Sequence, residues 1–160
     1  MDINVVEIRK NSTTTIILGH AGFIKTVEDL YEALVSTVPG IKFGIAFAEA
    51  SGPKLIRSEG NDDDLKRTAE QNMAKIACGH TFIILIENAY AINVANALKN
   101  VSEVVSLYCA TANPVHVLIV NSDQGRGVIG VIDGDSPAGV ESDEDKEKRY
   151  KFLRDIGYKR

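Results

Sequence analysis

The stretch from His80 to Glu87, HTFIILIE, constrains the fold more than any other part of this chain. Phe82 to Ile86 are apolar without a break, so the segment has no polar face. Bounded by Gly79 and by Asn88-Ala89-Tyr90, such a run reads as a buried strand. It is far shorter than the ~20 apolar residues needed to cross a bilayer. A buried strand needs other elements packed over it, so the chain is expected to build layers. At 160 residues the chain is long enough to do so without disulfides or metals, and residues 1–160 are expected to form a single domain.

Residues 41–50, IKFGIAFAEA, read as a second strand with two unlike faces. Ile41, Phe43, Ile45, Phe47 and Glu49 share one face. Gly44, Ala46, Ala48 and Ala50 share the other, where something must approach closely. Val27, Leu30, Tyr31, Leu34, Val35 and Val38 form an apolar stripe at helical spacing, with Thr26 as the expected N-cap and Pro39-Gly40 as the stop. A second helix is expected over 63–77, with Gly79 just past its end. A short helix follows at 93–100. A last one spans 143–155, where Ser142 and Asp145 match a capping box and Gly157 closes the turn. Further strands are read at 3–9, 14–18, 54–58, 103–109, 115–121 and 127–132. Strands often follow strands with no helix between them. The expected class is therefore α+β, a single layered domain with a mixed β-sheet and about four helices.

Composition excludes several roles. Hydrophobic residues are 44% and charged residues 25% of the chain, values of an ordinary globular protein rather than a disordered one. The net charge of −4 gives no basic stripe for nucleic acid and no polybasic patch for a membrane surface. The N-terminus has no secretory pattern, and Cys78 and Cys109 form no CxxC pair, as expected of a cytoplasmic protein with reduced thiols.

The chemistry-bearing residues lie at strand ends and in loops. His80 follows Cys78-Gly79, at the point where a helix ends and the buried strand begins. It is either a packing residue or a nucleophile that can carry a phosphoryl group as a phosphoramidate. His116 lies within a strand, and His20 in a loop that reads as a turn. Gln124-Gly125-Arg126-Gly127 opens a strand, so its glycine spacing is neither a P-loop nor a dinucleotide fingerprint. A guanidinium between bare backbone N–H groups suits a phosphate, although a structural hairpin would use the same residues. Asn88, Asn93, Asn96, Thr111 and Asn113 are neutral hydrogen-bonding groups that suit adenine or ribose, or serve as caps and turns. Glu49 ends an apolar strand face as a site acid or base, or as an edge residue. Asp133 and Asp135 flank Gly134 and suit either Mg²⁺ with water or a turn. No clear metal motif is present.

Taken together, these segments resemble the adenosine-specific kinases, a family of small archaeal and bacterial proteins. The resemblance rests on FIKTVEDLY from Phe23 to Tyr31, GIAFAEASGP from Gly44 to Pro53, Gly60-Asn61-Asp62 and Gly79-His80. It continues through Ile92-Asn93-Val94, CATANP from Cys109 to Pro114, Gln124 to Gly127, Val131 to Gly134 and the final FLRDIGY. The chain departs from the family pattern at Ala91, where proline is usual, and at His20-Ala21-Gly22. The resemblance implies an adenine-nucleotide-binding protein in which a histidine, here His80, carries a phosphoryl group.

The leading expectation is a phosphotransferase acting on adenosine or an adenine nucleotide (AMP, ADP or ATP). ATP or a related nucleotide is the donor, and Mg²⁺ accompanies phosphoryl chemistry in general. His80, Arg126 and Glu49 form the catalytic set. Asn88, Asn93, Thr111, Asn113, Gln124, Gly125 and Gly127 form the nucleotide-binding set. The alternative is a non-catalytic adenine-nucleotide sensor in which phosphohistidine marks a state. The apolar strands at 41–50 and 80–87 would allow a subunit interface, so a homo-oligomer is expected, with a trimer as the candidate.

Overall fold

The structure, a computed structural model, describes residues 2–160. Its elements run in the order β1 (Ile3–Glu7), β2 (Thr15–Ala21), α1 (Thr26–Thr37), β3 (Lys42–Ala48), β4 (Ile56–Gly60) and α2 (Asp63–Ile76). Then follow β5 (Thr81–Glu87), α3 (Ala91–Lys99), β6 (Val104–Thr111), β7 (Val115–Asn121), β8 (Arg126–Asp133) and α4 (Asp143–Asp155). The α+β class with four helices is what forms. The sheet component is divided in two, a five-stranded sheet ordered β4-β3-β5-β2-β6 and a three-stranded sheet ordered β1-β7-β8. Each strand pairing in both sheets is antiparallel.

β5 is the middle strand of the larger sheet, and Thr81 to Ile86 are all buried, as its unbroken apolar run requires. One face of that sheet carries Ile17, Phe43, Ile45, Phe47, Phe82, Ile84 and Ile86 against Leu30 and Leu34 of α1 and Val94 and Leu98 of α3. The other face carries Ile16, Leu18, Ala46, Ile83 and Leu85 against Leu65, Ala69, Met73 and Ile76 of α2 and Val115, Val117 and Ile119 of the small sheet. The result is three layers with β5 at the centre.

The small-residue face of β3 has a clear cause. A Cβ on Gly44 would lie 2.2 Å from the backbone nitrogen of Lys66 and 2.3 Å from the carbonyl carbon of Leu65, so α2 begins directly on the strand. Asp62 caps that helix by accepting a bond from the Leu65 N–H at 2.9 Å.

Three local expectations need correction. Lys25, not Thr26, is the N-cap of α1, and it makes no side-chain cap bond. Thr26 is drawn into the core as the first helical residue, while Lys25 pairs with Asp29 at 2.7 Å and Glu103 at 3.1 Å. The left-handed residue that ends α2 is Ala77 (φ 47°) rather than Gly79. Gly79 is needed for a different reason, because a Cβ there would lie 2.9 Å from the Ala50 Cβ. The return strand begins at Ile56, since Ser51 to Leu55 are taken up by a turn.

Gly44→Ala is expected to cost about 3 kcal/mol or more, since the clash is with backbone that cannot rotate away. Gly22→Ala, where nothing lies within 4 Å of the added atom, is expected to be near neutral. Urea unfolding of both variants checks the contrast.

Candidate functional site

His80 occupies the turn between α2 and β5 in a left-handed conformation (φ 60°). Its N–H donates to the Ala48 carbonyl of β3 at 2.7 Å, and its carbonyl accepts from the Ala21 N–H of β2 at 2.9 Å. Its peptide groups thus join the ends of the two strands that flank β5. The half-buried ring stacks on Phe47, with ring centres 6.0 Å apart and an 18° interplanar angle. It meets His20 edge-on at 5.9 Å. His20 is therefore not a turn residue at the margin. It is the last residue but one of β2, beside His80, which its sequence neighbours did not reveal.

A cavity of about 690 Å³ opens at the same end of the molecule. Ala48, Glu49, Lys54, Gly79, Ser122 and the Gln124–Gly127 loop line it, so the turn after β3, the α2–β5 junction and the β7–β8 hairpin converge. Gly79 joins this cavity to the His80 turn. Lys54 (φ 56°) and Ala77 (φ 47°), both in its wall, share the left-handed conformation of His80. Such conformations cost about 1–3 kcal/mol each and gather at functional sites.

Arg126 is anchored. Its Nε donates to the Ile76 carbonyl at 3.1 Å and an Nη2 proton to the Lys75 carbonyl at 3.0 Å. Those carbonyls form the negative end of the α2 dipole, and the guanidinium neutralises it while its other N–H groups stay available. Burial pushes the Cys78 thiol up, against the opposing pull of Arg126. Burial raises Cys109 further, to about 11, and both cysteines are free thiols.

Glu49 is committed elsewhere. One carboxylate oxygen accepts from the Leu55 N–H at 2.8 Å, and the other from Arg57 Nε at 3.1 Å and Nη2 at 3.0 Å. The Leu55 bond first, and then Arg57, hold this carboxyl below its usual range. It pins the 51–55 turn, an arrangement that suits positioning better than proton transfer. That turn carries Lys54, which has no ion-pair partner among the described residues. Lys54 was missed from the sequence, where it reads only as the first residue of the return strand at 54–58. Among the described residues no group of three or more His, Cys, Asp or Glu side chains converges as a metal site. The cavity's carboxylate is already paired, so its residues do not fit a protein-held Mg²⁺.

The remaining expected residues lie elsewhere. Asn88 follows β5 at its far end, about 25 Å from His80 at ~3.3 Å per residue. It lines a separate cavity of about 400 Å³ with Asn93, Thr13 and Tyr90. Asn93 caps α3 by accepting from the Tyr90 N–H at 2.9 Å. Thr111 pairs with Ile16 at the start of β2, the end nearest Asn88. Its hydroxyl accepts from the Asn113 N–H at 3.1 Å, and Asn113 donates to Asp133 at 3.0 Å. Within one chain, then, Glu49, Gln124, Gly125, Arg126 and Gly127 line one cavity, and His80 follows its wall residue Gly79 without lining it, whereas Asn88, Asn93, Thr111 and Asn113 lie apart from both.

The layered α+β fold thus carries a strand-end histidine next to Gly79, in the wall of a cavity that holds Lys54 and Arg126. The sequence model described as adenosine specific kinase matches residues 6–159. The chain belongs to that family. It also resembles the crystal structure of the PH1918 protein from Pyrococcus horikoshii OT3, with a TM-score of 0.96 and 45% identity over 99% of this chain and 98% of that one. None of the curated proteins compared with it matches.

Burial first, and the neighbouring His80 second, hold the His20 imidazole below its usual 6.5. A histidine depressed in the folded state takes up protons more readily when unfolded, so its contribution is lost as pH falls through about 6.5. The stability lost between about pH 7.5 and about pH 5 should be smaller in His20→Asn than in the parent. Urea midpoints at both pH values test this, and equal losses would contradict it.

Proposed function

We propose that this chain transfers a phosphoryl group from ATP to adenosine through His80. The observation that carries the reading is a fixed, half-buried histidine that directly follows Gly79, a wall residue of a cavity holding two cations and one fully paired carboxylate. The cavity volume of about 690 Å³ lies within the ~300–1,000 Å³ typical of small-molecule sites. Lys54 and the free N–H groups of Arg126 attract the phosphates, and the backbone at Gly125 and Gly127 allows close approach.

In the first step a neutral imidazole nitrogen of His80 attacks the γ-phosphorus. An N–P bond forms, the bond from phosphorus to the β–γ bridging oxygen breaks, and ADP leaves with that electron pair. In the second step an adenosine hydroxyl oxygen attacks the same phosphorus and the N–P bond breaks. His20, edge-on to His80 and with its imidazole held below its usual range by burial, takes the hydroxyl proton. Stacking on Phe47 fixes the His80 ring plane across both steps. The four-residue group at the other end of β5 plays no part within the same chain.

Steady-state formation of AMP from adenosine and ATP–Mg²⁺ tests the reading. Many turnovers per chain are expected, with Lys54→Ala and Arg126→Gln each lowering kcat/KM by about 10- to 100-fold, as loss of a charge-assisted bond implies. His80→Asn should abolish turnover. Nucleotide binding with at most one phosphoryl group per chain and no AMP would instead favour a sensor.

A further inference from the structure

The connector between β1 and β2 is held in place by one buried amide. Asn72 lies on the inner face of α2 and is only 1% exposed. Its Oδ1 accepts from the Arg9 N–H at 2.8 Å, and its Nδ2 donates to the Arg9 carbonyl at 2.7 Å and the Thr68 carbonyl at 3.0 Å. Both polar atoms are engaged, as burial requires, since an unmet buried polar group costs about 1–3 kcal/mol. The clamp fixes the Arg9 backbone against α2. The Arg9 side chain has no ion-pair partner among the described residues, and the residue is exposed.

Arg9 lines a cavity of about 370 Å³ together with Lys10, Asn11, Thr68, Gln71 and Leu85. Lys10 donates to the Ala112 carbonyl at 2.9 Å, which leaves two ammonium protons for a ligand. Burial holds that ammonium below its usual range, against the opposing pull of Glu87. Glu87 is taken up by the Thr13 and Thr14 hydroxyls at 3.2 and 2.6 Å and does not line the cavity. No carboxylate does, whereas the cavities beside α1 carry Glu28 and Glu59. The apolar lining is limited to Leu65 and Leu85, with no aromatic ring to take a nucleobase. Leu85 stands five residues beyond His80, ~17 Å at ~3.3 Å per residue, so this cavity is separate from the one beside Gly79.

We propose that this cavity is a second anion site, which binds a compact phosphate-type polyanion such as pyrophosphate through Arg9 and Lys10. The guanidinium fork matches two phosphate oxygens, and the ammonium adds a point charge. Asn11 and Gln71 supply neutral amide donors beside them. Arg9 and Lys10 are consecutive cations that repel each other, and a bound anion removes that repulsion. The Asn72 clamp has already ordered the Arg9 backbone, so binding orders only side chains. Free pyrophosphate and the phosphate tail of a nucleotide offer the same chemistry. The proposal does not depend on phosphoryl transfer at His80.

Calorimetric titration with sodium pyrophosphate tests it, because the cavity beside Gly79 can be silenced separately. In a Lys54→Ala/Arg126→Gln background, pyrophosphate should still bind once per chain. Adding Arg9→Gln and Lys10→Gln should weaken that binding by about 10-fold or more, as loss of charge-assisted bonds implies. No pyrophosphate binding in the background, or unchanged affinity after Arg9 and Lys10 are replaced, would overturn the proposal. Circular dichroism reports whether the background folds. Where it does not, Arg9→Gln/Lys10→Gln alone should bind one pyrophosphate fewer per chain than the parent, and an equal number would overturn the site. ATP titrated into the same proteins separates the sources. A matching loss assigns the site to a nucleotide tail, and unchanged ATP binding beside lost pyrophosphate binding assigns it to the free anion.

Discussion

The site depends on two backbone hydrogen bonds of one residue. The His80 peptide bridges Ala48 of β3 and Ala21 of β2, so it closes the sheet across the start of β5. To make both bonds the chain must turn sharply out of α2, which places Ala77 and His80 in the left-handed region within four residues. Gly79 between them admits Ala50 at a distance no side chain would allow. The histidine ring is consequently fixed by the fold before any ligand arrives, with Phe47 on its face and His20 at its edge. Pre-organisation of this kind lowers the cost of reaching a reactive geometry.

Electrostatics at the neighbouring cavity follows from the same junction. α2 ends there, and a helix C-terminus repels phosphate. Arg126 removes that obstacle by bonding the last carbonyls, and Glu49 is neutralised by Arg57 and the Leu55 N–H. What is left uncompensated is positive: Lys54 and the outer N–H groups of Arg126. The acidic chain as a whole therefore carries a locally cationic cavity, a contrast that net charge does not reveal.

Much of this was legible in the sequence because the physics is local. The apolar run of β5 required burial on both faces, and the alternation of Gly44, Ala46 and Ala48 announced the close approach of α2. Ser142, Asp145 and Gly157 gave both ends of α4 through their side-chain and left-handed preferences. His80 stood out by its place between a helix end and a buried strand. What was not legible depends on strand direction. Antiparallel pairing with β2 sends β5 and β6 away from the His80 end, so Asn88, Asn93, Thr111 and Asn113 gather at the other one. Arg126 reads from sequence as a free clamp, because its carbonyl partners are some fifty residues away. Ala77 rather than Gly79 turns the chain out of α2, since tertiary bonds at His80 outweigh the local preference for glycine.

The central claim is that His80 itself becomes covalently phosphorylated. Intact mass after incubation with ATP–Mg²⁺, divided between acid and alkaline quench, tests it most directly, because a phosphoramidate is lost in acid and survives alkali. The account predicts one added phosphoryl group per chain after alkaline quench, none after acid, and none in His80→Asn. No added mass under either quench, or a phosphoryl group that persists in His80→Asn, would contradict it.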